Sequence, residues 1–240
     1  MIYSLMIGRA GSKGFPGKNT YKVLGRPICE YPILASKKSK FIKEIYVSTD
    51  CPKIKKIANK HDCKIINRPA KLNTSKALGE DVFQYSYFQM KKIHTKIKYI
   101  VLLFANSPTI NYKLIDKGIR ILNKNPKFDS AVSTSIYNMW SPLRARKLNK
   151  KGTLDPFVKF EYFGNPKYLN CDRDSQGNVF FADMSVSIVR PHCLENMENG
   201  LLPQKWMGKN IAPIESYGGC DVDYKWQIPQ VEYWIKENFN

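Results

Sequence analysis

The chain has 240 residues, 43% of them hydrophobic and 12% aromatic, and carries a formal charge of +19. That length and apolar content suit a single α/β domain with a sizeable core and exclude a disordered chain, and no apolar run approaches the roughly 20 residues that span a bilayer. The charge excess is lysine scattered over predicted helix surfaces, and without a finger, RNP aromatics or a basic heptad region it predicts no specific nucleic-acid partner.

Ile2–Ile7 reads as a short buried strand that runs directly into Gly8-Arg9-Ala10-Gly11-Ser12-Lys13-Gly14-Phe15-Pro16-Gly17-Lys18-Asn19. Glycines let successive backbone N–H groups converge on an anion, and the nearby cations neutralise it, so this loop predicts a phosphate site. Its place at the carboxyl end of a strand is where α/β sheets bind ligands. Gly17-Lys18 is followed by Asn19, not Ser or Thr, and the glycines recur every third residue, so neither the P-loop nor the dinucleotide fingerprint fits. Strands are expected next at Glu44–Ser48, Lys64–Asn67, Tyr99–Phe104 and Ser130–Thr134, with helices at Ile28–Ser36, Pro52–Lys60, Glu80–Lys92 and Lys113–Asn123. Apolar runs such as Ile100 to Phe104 suit strands buried on both faces, and the alternation is that of a doubly wound, mostly parallel sheet. From residue 137 to about 178 the rhythm breaks into Pro, Gly, Asn, aromatic and basic residues, which predicts an extended arm or β-ribbon. Val186–Val189 and Ile211–Glu215 resume the pattern, and Pro229 suits a final helix start.

Several stations of the chain resemble the CMP-sugar synthetases, the family that includes the acylneuraminate (sialic acid) cytidylyltransferases. The loop Gly8 to Asn19 is similar to that family's A-R-G-G-S-K-G-hydrophobic-P-x-K-N. Val47-Ser48-Thr49-Asp50, Arg68-Pro69 with Leu72, Leu102 to Pro108, Arg173 to Ser185 and Asp221-Val222-Asp223 follow in the same order. The resemblance implies one Rossmann-like nucleotidyltransferase domain over 1–240, an arm that supplies a homodimer interface, CTP as co-substrate and Mg²⁺ as cofactor.

Asp221 and Asp223 are two hard oxygen ligands on one side of an extended segment, the kind of donor Mg²⁺ takes beside phosphates. The resemblance makes them the metal ligands. It assigns Gly8, Arg9, Ala10, Gly11, Ser12, Lys13, Lys18 and Asn19 to the nucleotide, with Arg9 and Lys13 acting on the transferring phosphate. Asp50 reads as a helix cap and Pro69 as an extended bend that could hold Arg68 over a ligand; the resemblance implies that both Asp50 and Arg68 border the nucleotide pocket. Phe104, Asn106, Ser107, Arg173 and Phe181 fall at acceptor positions. Phe104 stands where the family usually has glutamine, Phe181 where sialic acid enzymes keep arginine, and Asp183 where they keep asparagine. Losing those polar groups predicts an altered acceptor.

The expected reaction is Mg²⁺-dependent transfer of CMP from CTP to a hydroxyl of an acidic, nonulosonic-acid-like sugar, releasing pyrophosphate and giving an activated sugar for surface glycans. Two rivals stay open: a nucleotidyltransferase with another base or acceptor, and a non-catalytic basic protein that binds nucleotide or nucleic acid. The six cysteines are scattered with no C-x-x-C pair, and the three histidines fall outside these motifs, so no disulfide framework, zinc site or histidine chemistry is expected. The N-terminal apolar stretch lacks a basic leader, which predicts a cytoplasmic protein without a signal peptide or membrane partner.

Overall fold

In the computed structural model, which describes residues 1–12, 14–74 and 76–239, β1 (Ile2–Gly8) is buried along six of its seven residues. Its one polar side chain in the interior, Ser4, meets the Ser36 hydroxyl at 2.8 Å, so burial leaves no polar group unpaired there. A tight hairpin follows, β2 (Lys22–Val23) and β3 (Arg26–Pro27), turned by Leu24 and Gly25 at positive φ. The chain then continues through α1 (Glu30–Lys38), β4 (Glu44–Thr49), α2 (Pro52–Lys60), β5 (Lys64–Ile66), α3 (Gly79–Ile93), β6 (Tyr99–Phe104) and α4 (Tyr112–Lys124). After β7 (Ser130–Ile136) come the short ribbon β8 (Arg146–Leu148) and β9 (Leu154–Pro156), then β10 (Phe180–Val189), α5 (Pro191–Glu195), β11 (Ile211–Ser216) and α6 (Ile228–Asn238).

Seven strands form the main sheet in the order β11-β7-β10-β6-β1-β4-β5. All neighbours are parallel except β10, which runs antiparallel to both β6 and β7. The strand order reverses beside β1, between β6 and β4, and a crevice opens at the carboxyl ends there, the usual ligand position in open α/β sheets. One core face packs α1, α2 and α4 through residues such as Ile33, Ile54 and Ile119. The opposite face packs α3 and α5 through Phe83, Tyr87 and Cys193. Helices on both faces explain why β1 and β6 are apolar throughout instead of alternating.

The expected strands and helices are present with ends moved by one or two residues, apart from β10. That strand begins at Phe180, six residues before the apolar run at Val186. Its first half pairs with the exposed end of β7, Phe180 opposite Ile136, before an irregularity between Ala182 and Ser187. Only the second half lies over the core, so only that half carries an apolar signature. Residues 137–178 form four single-turn 3-10 segments and the β8–β9 ribbon.

Candidate functional site

The crevice at the end of β1 is a cleft of about 420 Å³. It is lined by Gly8, Arg9, Gly11, Ser12, Gly14, Lys18 and Asn19 from the glycine-rich loop, Arg68, Phe104 and Asn106 from two strand ends, and Asp223 with Tyr224 from the segment before α6. Residues up to 216 positions apart in sequence face one another here, because β1 and β6 end side by side and the segment after β11 returns from the far edge of the sheet to meet them. Lys13 lies outside the described residues.

Gly8 is fixed by close approach: a Cβ there would stand 2.5 Å from the Ala105 Cβ and 3.1 Å from Ile54 Cδ1, so only glycine lets the loop leave the sheet at this point. The loop is then pinned from outside. Asp50, at the end of β4, accepts the Ala10 N–H at 2.9 Å. Arg68 donates to Asp50 Oδ1 at 3.1 Å, to the Gly8 carbonyl at 3.2 Å and to Asn73 Oδ1 at 2.7 Å. Burial lowers the Arg68 pKa and the Asp50 carboxylate opposes that. A guanidinium with its donors spent inward is a scaffold for the loop, while Asn19 donates to the Arg9 carbonyl at 3.1 Å. The Asn19 Oδ1 is buried without a protein partner.

Across the cleft, the D-V-D segment presents Asp223 to the opening and keeps Asp221 buried behind it. Val222 is fully buried in a small cluster with Ile28, Tyr31, Val231 and Trp234. In an extended segment that sends Asp221 and Asp223 to the other side. Asn106 exchanges bonds with Val222, accepting its N–H at 2.8 Å and donating to its carbonyl at 3.1 Å, and reaches Asp221 Oδ2 at 3.2 Å. Gln227 accepts the N–H groups of Asp223 and Tyr224, each at 2.7 Å, and donates to the Asp221 carbonyl at 3.2 Å.

Electrostatically this side is short of positive charge. Burial above all, then the neighbouring Asp223, raises the Asp221 carboxyl above its ordinary range, with Lys18 and the Asn106 amide opposing. The Lys18 ammonium is ion-paired to Asp223, bridging the glycine-rich loop to the D-V-D segment. The ammonium sits on Asp223 and lies near enough to Asp221 to favour its ionised form, and the two carboxylates are the hard oxygen donors that Mg²⁺ prefers. Among the described residues no cluster of three or more His, Cys, Asp or Glu is positioned for a metal. Two carboxylates fit Mg²⁺ in the manner of phosphate-binding sites, where substrate phosphates and water complete the shell.

The remaining expected residues divide. Phe104 lines the cleft, its ring 5.1 Å from Phe83 and 6.1 Å from Trp206, and with Leu72, Leu78 and Val82 it makes one wall apolar. Asn106 spends its amide on the D-V-D segment, and Ser107 is buried with its hydroxyl unpartnered. Arg173 is exposed in the arm, paired with Asp174 at 2.8 Å, and lines a separate depression with Ile136 to Met139. Phe181 lies near Tyr137, ring centroids 6.1 Å apart, outside the cleft. Asp183 is buried beneath the segment that leads to Asp221 and faces no cleft; it accepts from the Ser133 and Ser135 hydroxyls. Gln227 went unrecognised in the sequence, although Tyr224 and Gln227 form a capping box at a 3-10 turn, a three-residue spacing that is legible in principle.

A family model described as cytidylyltransferase matches residues 5–185. The N-acylneuraminate cytidylyltransferase of Escherichia coli is 25% identical over 182 residues, covering 76% of this chain and 42% of that protein. The CMP-N,N'-diacetyllegionaminic acid synthase of Legionella pneumophila is 28% identical over 165 residues, 68% of each chain. This chain thus spans less than half the length of the E. coli protein. Among solved structures, a CMP:2-keto-3-deoxy-manno-octonic acid synthetase complexed with CTP superposes over 99% of both chains with a TM-score of 0.69 at 14% identity, a likeness of fold.

Proposed function

The chain belongs to the cytidylyltransferase family, and on that premise we propose that it transfers CMP from CTP to a hydroxyl of an acidic sugar of the nonulosonic class. The observation that carries this reading is the facing of the glycine-rich loop and Asp223 across one cleft, bridged by the Lys18–Asp223 ion pair, with Asp221 buried directly behind. A triphosphate lying along the loop meets its amides and Arg9, and Lys18 can exchange Asp223 for a phosphate oxygen. The acceptor oxygen forms a bond to the α-phosphorus while the bond to the bridging oxygen of the β-phosphate breaks, and pyrophosphate leaves. Such transfer depends on positioning and charge stabilisation. Asp221 and Asp223 would hold Mg²⁺, which when bound supplies charge withdrawal from the phosphates. Among the described residues no histidine lines the cleft, so the proton of the attacking hydroxyl passes to water or to the departing pyrophosphate.

The acceptor's acid character fits the relatives' printed substrates, and the apolar wall around Phe104 favours one with deoxy or acylated positions in place of a free hydroxyl. The arm supports a homodimer: Trp140, Phe157, Tyr162 and Tyr168 project from it, the two tyrosines about four-fifths exposed at 79% and 80%. Such an apolar group on a small arm marks an interaction surface. Light scattering should report a dimer that Trp140→Glu with Tyr162→Glu converts to monomer; a monomeric wild type would remove this part of the reading. All six cysteines are free thiols, in keeping with a cytoplasmic setting. No described helix is long and apolar enough to cross a membrane.

The test is pyrophosphate release with Mg²⁺ across CTP, GTP, UTP and ATP and a panel of nonulosonic and 3-deoxy-octulosonic acids. Turnover with CTP and one acid supports the reading. Acid-dependent turnover with another nucleotide, or nucleotide binding with no turnover on any acid, would replace it.

A further inference from the structure

The segment from Gly218 to Tyr224 belongs to no helix or strand, yet its backbone is held almost group by group by side chains. Gly218 O accepts from Gln230 at 3.1 Å, and Gly219 O from Tyr137 at 2.9 Å. Gly219 N donates to Ser135 Oγ at 3.1 Å, and Cys220 N to Thr109 Oγ1 at 2.9 Å. Beneath Gly219 lies Asp183, a carboxylate in the interior that the proposed reaction does not use.

Its surroundings explain why it is tolerated there. Asp183 Oδ2 accepts from Ser135 Oγ at 2.7 Å, and Oδ1 accepts from Ser133 Oγ and from the Ser185 N–H at 3.1 Å. Ser133 and Ser135 are alternate residues of β7 and face the same side of the sheet. Ser135 gives its proton to Asp183 and takes the Gly219 N–H, so the carboxylate orients the hydroxyl that holds the segment. Contact is also direct: a Cβ on Gly219 would stand 2.3 Å from Asp183 Oδ2 and 3.0 Å from Ser185 Oγ. Met184, next to Asp183, has φ of 61°, within the irregularity of β10 that turns the carboxylate under the segment. Left-handed backbone at a non-glycine residue is strained and persists only where surrounding contacts hold it.

We infer that Asp183, with Ser133 and Ser135, is a positioning network that sets the path of Gly218–Cys220 and thereby aims Asp221 and Asp223 at the metal and phosphates. It touches neither substrate nor metal. Partners that orient a ligand from behind govern metal affinity by about 10- to 100-fold. The inference rests on the proposed metal role of Asp221 and Asp223, so its test has two independent readouts.

The variants are Ser135→Ala, which removes one link and leaves the carboxylate two other donors, and Asp183→Asn. Asp116→Asn is the control: another buried carboxylate, bonded to Ser39 at 2.6 Å between α1 and α4, remote from the cleft. Amide hydrogen exchange reads the segment directly, and Mn²⁺ binding followed by electron paramagnetic resonance, without any turnover, reads the carboxylates. The network predicts faster exchange at Gly219 and Cys220 and Mn²⁺ binding weaker by about tenfold in Ser135→Ala and more in Asp183→Asn, with Asp116→Asn changing neither. Unchanged exchange and Mn²⁺ affinity in a folded Ser135→Ala would overturn it. Faster exchange, with Mn²⁺ binding in the wild type that Asp221→Ala leaves untouched, would keep the network as a clamp on the segment but overturn both its link to metal and the metal role of Asp221.

Discussion

Arg68 and Asp50 together brace the glycine-rich loop, through the Gly8 carbonyl and the Ala10 amide. The Arg68 side chain is 3% exposed and that of Asp50 22%, so solvent screens their pair only weakly. Arg68→Met keeps most of the volume and loses three hydrogen bonds, one to a carboxylate; Asp50→Asn keeps an acceptor for the Ala10 amide but loses the charge. Charge-assisted bonds contribute about 1.5–3 kcal/mol and a bond to a neutral acceptor about 1 kcal/mol, which gives about 3.5 kcal/mol for Arg68→Met and about 2 kcal/mol for Asp50→Asn. The double variant should cost about 4 kcal/mol, so the coupling is about 1.5 kcal/mol, within the usual range for residues in contact. Urea unfolding at neutral pH measures all three. Both single variants should also raise the KM for CTP, because Gly8 and Ala10 shape the loop. Additivity of the two single changes within about 0.5 kcal/mol would refute the claim that Arg68 and Asp50 act as one brace.

Other consequences are separable. Lys18→Met should lower kcat/KM by about 100-fold, as the loss of one donor to developing phosphate charge does, while stability moves by less than about 1 kcal/mol because the Asp223 partner is exposed. Kinetics and thermal melts on the same preparation check both. Phe104→Gln puts an amide between Phe83, Trp206 and the apolar cleft wall, and should destabilise by about 1–3 kcal/mol as an unpaired polar group; a melting temperature unchanged from wild type would contradict that environment. Asp221 has a raised folded pKa, mainly through burial. Its ionised form therefore disfavours folding, and the penalty appears as pH rises through the range between its ordinary and raised values. Without metal, Asp221→Asn should be more stable than wild type at neutral pH, with the gain vanishing in acid below the ordinary carboxylate range. Glu195 is the opposite case: the bonds from Lys91 and Tyr87 hold its carboxyl below the ordinary value, so its stabilisation is full above that value and is lost as pH falls. Acid unfolding of Glu195→Gln should show a shallower pH dependence than wild type.

The doubly wound half of the fold was legible because β1, β4 and β6 are buried on both faces and the helices between them keep a 3.6-residue period. The β2–β3 hairpin was not, since Leu24-Gly25 is a weak turn signal and both strands are two residues long. The start of β10 was hidden for a different reason: half-exposed Phe180 and Phe181 pair with the overhanging end of β7, outside the core that gives strands their pattern. At the site, glycine spacing and the D-x-D pair were readable as local chemistry. What they touch was not, because Lys18 and Asp223 are 205 residues apart and meet only through the sheet order. The same holds for Asp183, whose position in the chain suggested an acceptor contact. A bulge and two serines on the neighbouring strand turn it inward, and neither feature has a one-dimensional signature. Asn106 was read as a substrate residue; it lines the cleft and also braces Val222 and Asp221, a contact across the fold that the sequence does not display.

If one cleft joins CMP to an acid, phosphorus NMR of the protein with CTP, Mg²⁺ and each acid in turn will show it. One acid should make the triphosphate resonances give way to pyrophosphate and a single phosphodiester signal, and Asp221→Ala should abolish both. Persistence of the CTP spectrum with every acid, or release of pyrophosphate with free CMP in place of a phosphodiester, would contradict it.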